Sequence, residues 1–189
     1  MSAERFEEWV REAILSLPRD LKAVLRIVED PDLSDEGRIA AAGALLHVLS
    51  SSNAIPGMRG LLAYVDDVIV LRLVLERLNQ SDPEAMATHR KDSPELLEPL
   101  DEQLASARDY LGDLMQVLDK AADGVKKLQH HGKNAVQCVR DPDDGNWLYD
   151  AVHEAIVEQL EFDEDEVARE IKRIEEIRPP LQARVATQR

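Results

Sequence analysis

Two adjacent aspartates, Asp66 and Asp67, stand inside the apolar run "GLLAYVDDVIVLRLVL". Paired carboxylates can divide acid and base roles, ligate a divalent cation, or accept backbone N–H groups as a structural lock. Neighbouring residues on a helix are turned by about 100°, so these two carboxylates are not expected to share a face. Asp67 falls on an arc with Leu71, Val74 and Leu78, and Asp66 on one with Val70, Leu73 and Arg77. The segment is apolar nearly all round, the pattern of a helix covered on several sides. A carboxylate buried there needs a partner, because desolvating an unpaired charge is costly. The available partners are His47, Arg59, Arg77 and the N–H groups of residues 50–53. With Tyr64 and Asn53 they complete the candidate site: Asp66, Asp67, Tyr64, Asn53 and His47. The preferred reading is a lock between this helix and the preceding loop. The sharper alternative is a buried acid that binds a metal or ligand, in its catalytic form a metal-dependent hydrolase using Asp66 and Asp67.

No other group assembles into a motif. His130, His131, Cys138 and His153 lack metal-ligand spacing, and "HEAIVE" carries Val157 where a second histidine would be needed. The stretch "DPDDGNWLYDAVHE" has Gly145 and Val152 out of register for a calcium loop, and reads as a turn and a helix N-terminus. There is no G-x-S-x-G and no phosphate-binding glycine loop. Lys126, Lys127, His130, His131 and Lys133 form a small basic patch suited to a helix C-terminus. No catalytic residue, resident metal or cofactor is therefore assigned.

The elements that must position these residues are helical. Ala, Leu, Glu and Arg dominate, and aromatics make up 4% of 189 residues. The spacing predicts an all-α protein. Its first part, residues 1–79, is a four-helix domain: a helix with Phe6, Trp9, Val10, Ala13 and Leu17 on one face, a second after Pro18, an Ala-rich third capped by Ser34, and a fourth from about Leu61. Residues 80–94 are polar, carry two prolines, and read as a linker. In residues 95–178, apolar positions from Leu97 to Leu128 alternate spacings of three and four, a heptad seam. Asn146 is placed to cap a last long helix, so a long antiparallel helical hairpin is expected. Residues 179–189 read as a disordered tail.

The segment "HVLSSSNAIPGMRGLLAYVDDVIVLRLVL" resembles the YkvA-like family (DUF1232), whose core runs roughly Y-x-x-S-P-x-D-x-I-P-D-x-x-P-x-x-G-Y-x-D-D. Ser50, Ile55, Pro56, Tyr64, Asp66 and Asp67 match without a gap. His47 stands for the first Tyr, Ser51 for the first Pro, Asn53 and Gly57 for the loop Asp residues, Gly60 for the last Pro and Ala63 for the Gly. The resemblance covers about residues 38–78. It implies a hydrophobic helix on each side of the loop, a bacterial source and the membrane association suspected of many members. It implies no established activity.

A formal net charge of −15 opposes nucleic-acid and anionic membrane binding. One cysteine and a charged N-terminus point to the cytoplasm. The expected function is a non-catalytic adaptor or regulatory protein, for instance in bacterial signalling. Its partner would be another protein or a second copy of the chain, held through Leu104, Leu111, Leu114 and Leu118. A peripheral membrane protein docking through residues 55–62 is the remaining alternative.

Overall fold

The structure is a computed structural model that describes residues 2–50 and 53–188. The chain is mostly helical, as the spacing predicted. Helix α1 (Ser2–Leu15) buries Phe6, Trp9, Val10, Ala13 and Ile14. Helix α2 (Leu17–Glu29) follows at once, with Pro18 in its first turn, where a missing N–H breaks no helical bond. Helix α3 (Asp35–Leu49) starts at Ser34, whose Oγ accepts the Gly37 N–H at 3.0 Å. A 3-10 turn, Gly60–Tyr64, leads into α4 (Val65–Ser81), which is buried on almost every side. Helix α3 packs on α2 and α4.

At the centre of this first part, Arg72 of α4 is fully buried. Its guanidinium donates to Gln103 at 2.7 Å, to the Val68 carbonyl at 3.1 Å and to Asp20 at 3.4 Å, and lies over the Trp9 ring. Burial raises the Asp20 carboxyl against the pull of Arg72 and Arg19. An arginine with this many partners can be desolvated without leaving an uncompensated charge.

The second part departs from expectation. The segment read as a linker is helix α5 (Pro83–Asp92), followed by the short α6 (Pro94–Leu97). Met86 and His89 anchor α5, and His89 Nε2 meets Asp30 Oδ2 at 2.7 Å. His89→Gln is expected to cost about 1 kcal/mol, the net worth of one such hydrogen bond. Urea denaturation would check this, and an unchanged midpoint would mean that the contact contributes nothing.

The long seam is not one helix. It breaks at Gly112, whose φ of +53° suits glycine, into α7 (Leu100–Leu111) and α8 (Met115–Gly124). The break lets α7 pack on α1 and α4 while α8 lies on α4. Leu104, Leu111 and Leu118 are buried in the core, and Leu114 is half-buried against it. The buried core is continuous across the expected domain boundary, and among the described residues 95–178 the chain forms several shorter helices where two long ones were expected.

A two-residue ladder, β1 (Gln129–His130) with β2 (Lys133–Asn134), turns through His131 and Gly132, both at positive φ. Helix α9 (Ala135–Arg140) is capped by Asn134. Helix α10 (Pro142–Glu158) is capped by Asp141 rather than Asn146, since the Asp141 carboxylate accepts the N–H groups of Asp143 and Asp144. Helix α11 (Glu164–Glu170) continues through the 3-10 segment Ile171–Ile177 into α12 (Arg178–Thr187). The segment expected to be disordered is thus helical as far as Thr187, with Leu181 and Val185 buried. Pro179 and Pro180 fall in the first turn of α12, where they are tolerated.

Candidate functional site

The last turn of α3 presents His47, and the first turn of α4 presents Asp66 and Asp67. Both carboxylates reach the same imidazole. His47 Nδ1 lies 2.9 Å from Asp67 Oδ1, and Nε2 lies 3.7 Å from Asp66 Oδ2. The two aspartates were expected to make a poor acid/base pair by themselves, and here they meet through a third group. They lie on separate arcs, but a histidine wedged between those arcs has a nitrogen for each.

Asp66 also accepts the Ala54 N–H at 2.7 Å, which ties the loop to α4. The donor, Ala54, is one residue beyond the 50–53 N–H groups expected as partners. Ser51 and Ser52, which were offered as N–H donors, lie outside the described residues. Arg77 is not a partner of either aspartate, for it pairs with Asp123 at 2.8 Å and donates to the Asp119 carbonyl. Arg59 is exposed.

The lock leaves something over. His47 and Asp67 are each only 4% exposed, yet His47 Nδ1 and Asp67 Oδ1 make no aligned hydrogen bond despite their 2.9 Å approach. Buried polar atoms are normally satisfied, so this orphaned pair calls for an explanation. Burial holds the Asp67 carboxyl well above the usual carboxylate range. Burial, and then the neighbouring Asp67, push Asp66 up to about 7, while burial lowers His47 despite the pull of Asp66. Without an ion the three groups resist carrying charge. One ligand atom from each of His47, Asp66 and Asp67 lies within 4.8 Å of the others. That is a compact set of donor atoms, of the kind a divalent cation takes. The three donors sit on two helices rather than in one spaced motif, which is why no motif displayed them.

Asp67 lines a cleft with Ser50, Asn53, Tyr64, Glu161, Phe162 and Glu166. Tyr64 stands at the start of α4, where burial and the Asp67 carboxylate both raise its phenol. Asn53 and Tyr64 are thus cleft residues, beside the donor set rather than in it. Glu161, Phe162 and Glu166 were not foreseen, although an isolated phenylalanine in the acidic "EFDEDE" was a visible signal.

The loop of residues 55–62 turns its Ile55, Leu61 and Leu62 inward. Nothing in that burial favours membrane docking. No helix among the described residues is long and apolar enough to cross a membrane. Cys138 is buried, and burial pushes its thiol up to about 11, which suppresses the nucleophilic thiolate.

No family model, curated protein or solved structure matches this chain.

Proposed function

We propose that this chain binds one divalent first-row transition metal through His47, Asp66 and Asp67, and that it is a metal-dependent hydrolase. The observation that supports this most directly is the convergence of three buried donors, with His47 Nδ1 and Asp67 Oδ1 close but not hydrogen-bonded. Imidazole with carboxylates suits zinc, manganese or iron better than the all-oxygen cations. Three protein ligands leave coordination positions free, which is the arrangement of catalytic rather than structural zinc. Asp67 also lines a cleft large enough for a small molecule, which supports access of a substrate to the donor set. A metal there would activate a bound water as nucleophile and polarise a carbonyl or ester oxygen.

The adaptor reading rested in part on the heptad seam, and three of the four leucines nominated there for a partner lie in the core. The resemblance of residues 38–78 to the YkvA-like segment overlaps this site and supplies no activity of its own.

The test is calorimetric titration of chelator-treated protein with Zn²⁺ and with Mn²⁺, alongside His47→Gln. One equivalent is expected to bind, with affinity lowered at least about tenfold in the variant, as for the loss of one ligand. Absence of binding by both ions at micromolar protein would overturn the metal site. Turnover of ester and amide probes, abolished by chelation and restored by the ion, is the expected hydrolytic signature. A metal-loaded protein without turnover on any of them would remove the hydrolase assignment alone.

A further inference from the structure

The cleft beside the metal centre measures about 570 Å³. Its charged lining residues are Asp67, Glu161 and Glu166, and all are acids. In so acidic a chain that alone decides little. Four other clefts among the described residues, however, each include an arginine or a lysine: Arg5, Arg77 with Lys126, Arg19 with Arg72, and Arg38. Among the described residues, no arginine or lysine lines the cleft at Asp67.

Two further features mark it as a place for a ligand. Asp67 is almost fully buried and lines the cleft, and its Oδ1 has no hydrogen-bond partner. Tyr64 and Phe162 meet edge to face on the cleft wall, with centroids 5.1 Å apart and planes at 68°. Aromatic faces attract cations through the ring quadrupole, most effectively where water is excluded. Carboxylates beside aromatic rings would repel a phosphate or a carboxylate and hold an ammonium.

We propose that this cleft binds an organic cation, an alkylammonium group, between the Tyr64–Phe162 pair and the carboxylates of Glu161 and Glu166. The inference deepens the reading of the same site by naming the ligand class that lies beside the metal. It also stands on lining residues that the metal does not need. In a hydrolase, the bound cation would fix the position of a neighbouring ester or amide against the centre.

The probe is choline, with 3,3-dimethyl-1-butanol as its uncharged isostere, titrated by NMR or calorimetry into the full chain. The titration is made once in chelator and once with Zn²⁺ present. Choline is expected to bind at least about tenfold more tightly than the isostere, and about three- to tenfold more weakly to Phe162→Leu. Glu166→Gln, at an exposed position on α11 that the fold does not depend on, is expected to weaken choline and to leave the isostere unchanged. Equal binding of choline and isostere, unchanged affinity in both variants, or no choline binding under either condition would overturn the proposal. Choline binding in chelator without any uptake of Zn²⁺ would sustain the cation site and remove the metal. Zn²⁺ uptake without choline binding would do the reverse.

Discussion

Asp67→Asn is expected to raise the melting temperature of the metal-free protein at pH 8 and to abolish the stabilisation produced by Zn²⁺. Burial holds the Asp67 carboxyl well above its ordinary value and lifts Asp66 to about 7. A carboxyl whose pKa is raised by folding is held more tightly protonated in the folded state. Its contribution to stability is therefore present at low pH and is lost as pH rises through the folded pKa. His47 is shifted the other way, and its term weakens the fold only as pH falls below about 6.5. Tyr64 titrates only near 10 and above. From about pH 6.5, where His47 no longer contributes, up to about 7, Asp66 therefore sets a falling slope for the metal-free protein, and the raised Asp67 acts in the same direction.

An asparagine at position 67 removes the titration. Its amide N–H can be accepted by His47 Nδ1, now 2.9 Å from the Asp67 oxygen. A gain of about 1 kcal/mol, or roughly 2–4 °C for a chain of this size, is expected in chelator, with a flatter pH dependence. Zinc at about a hundred times its dissociation constant should stabilise the native protein by about 2.7 kcal/mol and should leave the variant unmoved. An ionised lock between His47 and Asp67 predicts the opposite, a variant that melts lower in chelator. That outcome would sink the metal reading in favour of the lock.

How much of this was legible follows from where the information sits. The face of α1 and the all-round burial of α4 are local periodicities, and both were readable. The seam from Leu97 to Leu128 was readable as helical but not as one helix or two. Spacings of three and four survive a break, and only Gly112 marked it. Helix α5 was hidden because it is held by one methionine and by the His89–Asp30 contact, and neither produces a period. At the site, the sequence proposed His47 because it lies on the helix just before the loop. Helical spacing put Asp66 and Asp67 on separate arcs, and it could not show that the His47 imidazole lies between those arcs and reaches both. Glu161, Phe162 and Glu166 come from the far end of the chain, and only the packing of α11 against the turn Gly60–Tyr64 places them there.

Gly43→Ala is expected to be the most destabilising conservative change in α3. The Ala-rich helix lets a neighbour approach closely, and at Gly43 the neighbour is backbone. A Cβ there would stand 2.3 Å from the Val125 carbonyl oxygen, 2.6 Å from its carbon and 3.1 Å from the Lys126 nitrogen. None of these atoms can swing aside, so either α3 or the turn Val125–Lys127 must shift. Overpacking against movable side chains costs about 1–3 kcal/mol, and a backbone obstacle belongs at the upper end. The better helix propensity of alanine offsets about 1 kcal/mol of that. A net loss of about 2 kcal/mol is expected, roughly 4–8 °C in melting temperature. Gly124→Ala is the matched control, because a Cβ there meets nothing within 4 Å. It should stabilise by about 0.4–1 kcal/mol through the unfolded chain. The two substitutions thus differ in sign although the chemistry is the same. Gly43 also lies one turn before His47 on α3, so the displacement that relieves the clash moves the imidazole relative to Asp66 and Asp67 on α4. Zinc affinity should fall with Gly43→Ala and stay constant with Gly124→Ala. If both variants bind zinc like the native chain while Gly43→Ala melts lower, the clash is absorbed by the turn and α3 holds its place. If Gly43→Ala melts no lower, the close approach of α3 to that turn is wrong.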